Sequence, residues 1–112
     1  MTVEVYKVLG QCRPAAGVWA DLYVVPSGSS ALVSAVVAAN PSDRVSYVEL
    51  TCALSGSSFS LEQYVTPPKR VEPNDSPNML DSYNITPGST DVLRVRSSTG
   101  EVSFNAFGIQ IT

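Results

Sequence analysis

Histidine is absent from this 112-residue chain, and charged residues are scarce. Asp, Glu, Lys and Arg make up 15% of the residues, whereas they make up about a quarter of an average soluble domain. Histidine is the commonest general acid or base, so its absence excludes Ser-His and Cys-His pairs and histidine-containing metal sites. The net charge is −3, and the seven basic residues are scattered, which leaves no patch for neutralising phosphates. We therefore expect no enzyme activity, no cofactor, no metal and no nucleic-acid ligand.

Cysteines and long apolar runs are also few. Cys12 and Cys52 lie far apart in the sequence, and they do not have the spacing of a zinc site. We interpret both as small buried side chains, with a single disulfide as the alternative. The longest apolar stretch, 31–39, is interrupted by Ser34 and is about half the length of a bilayer-spanning helix. The N-terminal residues alternate between polar and apolar, so we predict no signal peptide and no membrane partner.

Short strand-like segments separated by Gly, Pro, Ser and Asn fill the chain, and no amphipathic helical pattern is present. This pattern predicts one all-β domain spanning 1–112, an antiparallel β-sandwich or jelly roll of seven to eight short strands. The predicted strands are Val3–Leu9, Val18–Val25, Ala31–Ala39, Arg44–Leu54, Phe59–Val65 and Met79–Asn84, followed by a terminal hairpin within Thr90–Thr112. We expect Gly10 to stop the first strand. The third strand is almost wholly apolar, which predicts a central position covered on both faces.

The segment Arg44–Leu54 alternates with a period of two residues. Period two places alternate side chains on opposite faces of a strand. The core face is predicted to carry Val48, Leu50, Cys52 and Leu54. The opposite face, with Tyr47, Glu49 and Thr51, is expected to meet water or a partner.

Four prolines lie within Thr66–Asn78. Because proline lacks a backbone donor and fixes φ, we predict a long loop without a sheet ladder. Long ordered loops in compact domains tend to be functional. We therefore take Lys69, Arg70 and Glu72 in this loop as candidate residues of a protein interface. The predicted outward-facing residues Tyr47 and Thr51 complete this candidate set.

Carboxylates and aromatic rings supply the other candidate sites. Glu72 with Asp75, or Asp75 with Asp81, are possible acid–base pairs, and Glu72, Asn74 and Asp75 offer oxygen ligands for calcium. A solvated loop is the favoured interpretation of both sets, since no glycine-containing calcium loop is present. Aromatic rings that would stack on a sugar or a partner occur at Trp19, Tyr23, Tyr47 and Tyr64. Alternatively, Trp19 covers the end of the core, which we expect to contain Phe104 and Phe107.

About half of the chain resembles a family of small tailed-bacteriophage virion proteins. The resemblance lies in Val8–Gln11, Leu22–Pro26, Val33–Asn40, Asp91–Val95 and Val102–Gly108. Residues 44–84 depart from it, most of all in the proline-rich segment. It implies a β-sandwich accessory protein of the virion, made in the host cytoplasm. The capsid decoration, or cement, role is favoured, in which the protein binds and stabilises the assembled shell.

The partner implied by this resemblance is the major capsid protein or another virion protein. For such a decoration protein we also expect a homo-oligomer on the particle, with a trimer as one arrangement. A tail or baseplate structural domain is the alternative within the same class of protein. A host-glycan-binding module is the alternative from a different class, because carbohydrate-binding modules share this fold class.

Overall fold

Two antiparallel sheets pack against each other in the computed structural model, which describes residues 3–80 and 83–112. The predicted all-β sandwich is confirmed, with seven strands in the described residues. The strands are β1 (Glu4–Cys12), β2 (Ala20–Val24), β3 (Ser30–Ala39), β4 (Ser46–Ala53), β5 (Tyr64–Val71), β6 (Val92–Ser97) and β7 (Ser103–Ile111). Short 3-10 helices occur at Leu54–Gly56 and Leu61–Gln63. The three-stranded sheet has the order β1-β7-β3, and the four-stranded sheet has the order β2-β6-β4-β5.

The core lies between the two sheets and follows the period-two pattern. Val48 and Leu50 on β4 are fully buried, as predicted, and Cys52 packs against the same core. Phe104 on β7 is fully buried in the opposite sheet. Burying a side chain of this size stabilises the fold by about 1.5–3 kcal/mol. Leu54 departs from the prediction because the chain has already turned into a 3-10 helix, which leaves its side chain 69% exposed.

The last two strands do not form the predicted hairpin. β6 pairs with β2 and β4, whereas β7 pairs with β1 and β3 in the other sheet. The turn at Ser98–Glu101 therefore carries the chain from one layer to the other. Alternate side chains of both strands point into the shared core. β6 contributes Leu93 and Val95 from one sheet, and β7 contributes Phe104 and Ala106 from the other. A hairpin and a crossing between layers produce the same local pattern, so the sequence did not distinguish them.

β3 lies at the edge of its sheet and is not the central, doubly covered strand that its composition predicted. Its burial alternates, with Val33 and Val36 fully buried while Ser34 is exposed. The far side of β3 is lined by residues 75–80 and 83–87, which form isolated bridges and backbone hydrogen bonds such as Val33 N to Ile85 O at 2.8 Å. This segment replaces the predicted strand Met79–Asn84, of which Asp81 and Ser82 lie outside the described residues.

The proline-rich segment contains a strand, contrary to the prediction. Pro67 and Pro68 lie within β5, which is the edge strand next to β4. Val48 pairs with Lys69 and Leu50 pairs with Thr66, so the two prolines oppose Glu49 in a bulge. Prolines are tolerated at an edge or a bulge because no ladder bond is needed from their nitrogen. The predicted strand Phe59–Val65 is instead a loop and a 3-10 helix that lead into β5.

Gly10 does not end the first strand, which continues to Cys12. A Cβ at Gly10 would lie 1.9 Å from the backbone oxygen of Leu22, so β1 and β2 approach too closely for any side chain. The pairing of β1 with β7 shifts register between Val8 and Gly10, which makes Leu9 a bulge residue. Such a shift keeps a strand in the sheet while changing its twist. The glycine is therefore a packing position of β1.

Candidate interaction surface

The outer face of the three-stranded sheet is apolar and uncovered by any described residue. The register of β1 and β3 against β7 places one row of side chains from each strand on this side. We call it the open face; its apolar members are Tyr6, Val8, Leu32, Ala35, Val37, Phe107, Ile109 and Ile111. Glu4, Gln11 and Asn105 are polar members toward its two ends. A contiguous apolar face of this kind is typical of a surface that binds another macromolecule.

Phe107 shows how the open face arises. Successive side chains of β7 point to opposite faces of the sheet without interruption. Phe104 and Ala106 therefore point into the core and are fully buried, whereas Phe107 points outward and is 37% exposed. The prediction that Phe107 belongs to the core is therefore wrong. Opposite it on β1 lies Val8, which is 47% exposed, and two residues away Tyr6 is 79% exposed. These side chains are the most exposed part of the open face.

The outer face of the four-stranded sheet is different, because the chain folds back over it. We call residues 54–63 the cover segment. Arg94 on β6 donates hydrogen bonds to the backbone oxygens of Ser57 at 2.8 Å and Gly56 at 3.1 Å. Four outward-facing residues are buried on this side of the sheet: Glu49, Thr51, Ala53 and Val92. The chain itself therefore covers part of this side of the sandwich, whereas Tyr47 and Val24 on the same side are exposed.

Glu49 on β4 is the centre of a polar cluster on this side. Arg96 holds its carboxylate with two hydrogen bonds, Nε to Oε2 at 2.7 Å and Nη2 to Oε1 at 2.9 Å. The Tyr64 hydroxyl donates a third hydrogen bond, at 2.6 Å to Oε1. Burial alone would raise the pKa of Glu49, but the hydrogen bonds from Arg96 and Tyr64 outweigh it and hold that pKa below its ordinary value. The carboxylate is ionised and its hydrogen bonds serve the fold.

An aromatic cluster joins this ion pair to the cover segment. Trp19 stacks on Phe59 with ring centroids 5.4 Å apart, and Tyr64 contacts both rings. The guanidinium carbon of Arg96 lies 4.4 Å from the centroid of the Trp19 ring, a cation–π distance. Trp19 thus packs against the cover segment and Arg96 and is not one of the residues of the core between the sheets, so the interpretation that it covers the end of the core is not confirmed. Tyr23 is buried and donates to Gln110 Oε1 at 2.9 Å.

The predicted interface residues separate into two groups. Tyr47, Lys69, Arg70 and Glu72 are exposed on β4 and beyond the prolines of β5, where Tyr47 pairs with Arg70 across the strands. Arg70 Nε lies 2.6 Å from Glu72 Oε1 in an exposed ion pair, a kind of pair that contributes little. Thr51 is a correction, since it is 1% exposed beside Arg94 and has no surface to offer a partner.

Of the candidate carboxylates, the described Glu72 and Asp75 have separate hydrogen-bond partners. Glu72 pairs with Arg70, and Asp75 accepts a hydrogen bond from the backbone nitrogen of Ser76 at 2.8 Å. Asp81 lies outside the described residues. In residues 3–80 and 83–112, no group of three or more Cys, Asp or Glu side chains is arranged to hold a metal ion. The calcium set of Glu72, Asn74 and Asp75 is part of a turn beside β3.

Both cysteines are free thiols, so the disulfide alternative is wrong. Cys12 ends β1 and Cys52 lies on β4, in different sheets. Each is partly buried against the core. Burial, followed by the charge of Asp21, raises the pKa of Cys12, and burial followed by Asp91 raises the pKa of Cys52. Raised values keep both thiols protonated and unreactive at neutral pH.

Comparison with known proteins yields no match: no family model, curated protein or solved structure matches the chain. The resemblance to tailed-bacteriophage virion proteins therefore stays a prediction. Among the described residues, no helix has the length and apolar character needed to cross a membrane. The argument for function consequently depends on the surface itself.

Sequence reasoning missed the open face, although a signal was present. β3 carries apolar residues at both phases of the period-two pattern, and the end of β7 carries Phe107, Ile109 and Ile111 on its outward phase. An apolar outward row indicates a strand covered on both sides. The chain itself supplies no described cover for that row, so the same signal also fits a strand covered by another molecule.

Proposed function

We propose that this chain is a bacteriophage virion structural protein in the capsid decoration role, and that it binds the assembled shell through its open face. The observation that carries the proposal is the contrast between the two outer faces. One carries the Glu49–Arg96 ion pair and is partly covered by the chain itself, whereas the other is apolar and open. A protein that acts by surface contact needs one such face and no catalytic groups. The sequence resemblance supplies the class of particle.

The partner is the major capsid protein or another virion protein, with several copies of this chain side by side on the particle. Side chains such as Phe107 and Ile109 would lose water when the shell covers them, and this burial is the main source of binding free energy. A ligand that binds the assembled shell but not its separated subunits stabilises the shell by mass action. At a free concentration 100 times the Kd the gain is about 2.7 kcal/mol per site.

Quantitative mass spectrometry of purified particles of the phage that encodes the chain tests this proposal. A decoration protein is expected in on the order of hundreds of copies per particle, as mass-action coverage of a repeating shell requires. A handful of copies would favour the tail or baseplate alternative. Absence of the chain from washed particles would contradict a virion role altogether.

A pair of matched variants tests the open face. Phe107→Ser should reduce occupancy on particles that lack the protein, because it removes a large apolar contact from the centre of the face. Leu61→Ser is the control, since Leu61 is 75% exposed but lies on the cover segment in the other layer. Equal occupancy of the two variants would mean that the shell contact lies elsewhere. The exposed group of Tyr47, Arg70 and Glu72 is then the next surface to test.

A further inference from the structure

The sandwich has four sheet edges, and three of them are blocked or short. Residues 75–80 and 83–87 line the edge at β3, and Pro67 and Pro68 interrupt the edge at β5. The edge at β2 is five residues long. Natural proteins use covering segments, prolines and short strands to prevent unwanted pairing at a sheet edge. The remaining edge, at the nine-residue strand β1, has none of these devices along its first half.

The backbone of β1 presents free hydrogen-bonding groups to this edge. Val3 and Thr112 exchange two hydrogen bonds of 2.9 Å, so Val3 points its backbone groups toward β7. Because orientation alternates along a strand, Val5 and Lys7 also pair with β7. The N–H and C=O groups of Glu4, Tyr6 and Val8 then point away from the sheet. No described residue pairs with these groups.

Side chains along the same stretch are exposed on both faces. From Val3 to Val8 every residue is exposed, with Val3 51%, Val5 43% and Tyr6 79% accessible. A strand that is apolar on both faces and open along its backbone edge is a template for an added strand.

We propose that β1 pairs with β1 of a second copy of this chain, antiparallel and about a two-fold axis at Tyr6. This register brings Glu4, Tyr6 and Val8 of one copy opposite Val8, Tyr6 and Glu4 of the other. It satisfies all of the outward backbone groups with about six hydrogen bonds. The two three-stranded sheets become one six-stranded sheet, and the two open faces become continuous on one side.

Symmetry and charge both fit a second copy as the occupant. An antiparallel two-fold pair is self-complementary, so one strand supplies both sides of the contact. Tyr6 faces its own copy across the axis, and aromatic cross-strand pairs of this kind are favourable. The acidic Glu4 residues lie at opposite ends of the paired stretch and do not face each other. Pairing of this type gives a dimer and not a trimer.

The area of the contact predicts its strength. The six residues from Val3 to Val8 would bury on the order of 400 Å² per copy, compared with roughly 800 Å² per partner in a standard stable complex. The pair is therefore weak and concentration-dependent in solution. Copies held side by side on a surface would pair more completely, because their effective concentration is higher. The inference does not depend on the proposed virion role.

Sedimentation analysis of the purified chain up to about 1 mM, the range of weak complexes, tests the pairing. The weight-average mass should rise from 11.9 kDa toward twice that value. Tyr6→Pro should weaken association about tenfold or more, because it removes an outward donor while leaving the bonds of β1 to β7 intact. Tyr6→Thr keeps the donor and should weaken association only about threefold.

Three results would overturn the proposal. These are a constant mass of 11.9 kDa at every concentration, a dimer that survives Tyr6→Pro, or equal loss in the proline and threonine variants. Amide hydrogen exchange of the unmodified chain gives an independent test should the proline variant fail to fold. The amides of Tyr6 and Val8 should exchange more slowly as concentration rises, whereas those of Val5 and Lys7 should not change. Concentration-independent exchange at Tyr6 would also exclude the edge contact.

Discussion

Arg96 and Glu49 form a two-bond ion pair on the outer side of the four-stranded sheet, with both guanidinium contacts within 2.9 Å. The Glu49 side chain is 10% exposed and that of Arg96 is 33% exposed. The pair lies under the aromatic cluster that joins the cover segment to the sheet. It therefore links the buried outer face of β4 to the residues that cover it.

Removing this carboxylate should destabilise the fold. Glu49→Ala leaves Arg96 and the Tyr64 hydroxyl without their shared acceptor, and hydrogen bonds to charged groups contribute about 1.5–3 kcal/mol. We expect a loss of about 1–3 kcal/mol in the free energy of unfolding, measured by urea titration. Glu62→Ala is the control, because Glu62 is an exposed residue of the second 3-10 helix. A loss no larger than in the control would mean that the ion pair contributes nothing net.

The same carboxylate predicts a pH dependence. The pKa of Glu49 is lower in the folded chain than its ordinary value of about 4.3 in the unfolded chain. Folding therefore favours the ionised form, so the stabilisation is complete above the unfolded pKa and is lost as pH falls through the folded pKa. The stability gap between the unmodified chain and Glu49→Gln should thus be constant near neutral pH and shrink below about pH 4. A gap that widened on acidification would show that the sign is wrong.

Trp19 reports on the cover segment, because it is the single tryptophan of the chain. Its ring is partly buried and stacks on Phe59. Phe59→Ala should uncover the indole, so tryptophan emission should shift to the red under native conditions. Leu61→Ala removes an equally apolar side chain that is 75% exposed and should leave the emission unchanged. Identical spectra for the two variants would mean that the cover segment does not pack on Trp19 in solution.

The sequence predicts the fold class because local alternation and turn residues are strong signals in short strands. It places Val48 and Leu50 correctly in the core for this reason. The sequence-based prediction fails where contacts between distant parts of the chain decide whether a side chain is buried. Glu49 follows the outward phase as predicted but is buried, because Arg96 and Tyr64 from the neighbouring strands hydrogen-bond to it. A period-two pattern does not contain that information.

The candidate surface was harder to predict than the core. Phe107 and Ile109 are apolar, and apolar residues in a single sequence are assigned to the core by default. Only the pairing of β7 with both β1 and β3 shows that these two side chains point away from the core. Among the predicted interface residues, Thr51 fails because it is buried beside Arg94, whereas Tyr47 and Arg70 lie on the surface as expected.

The proline-rich segment gives the last prediction, on replacing residues 67–77 with a short Gly-Ser linker. If this segment were the solvated loop that the sequence predicts, its replacement would change the melting temperature little. The structure requires the opposite result. The replacement removes most of β5, including the fully buried Val71. It also disrupts the segment whose Pro77 carbonyl accepts a hydrogen bond from Ala38 of β3 and whose Asp75 carbonyl accepts one from Asn40, just after β3.

We therefore expect the linker variant to lose cooperative thermal unfolding. The narrower change Lys69→Ala, at an exposed position of β5, should alter the free energy of unfolding by less than about 0.5 kcal/mol. Circular dichroism melts of both variants make the comparison. A linker variant that melts like the unmodified chain would mean that β5 adds nothing to the four-stranded sheet. Such a result would also remove the structural reason for placing two prolines within an edge strand.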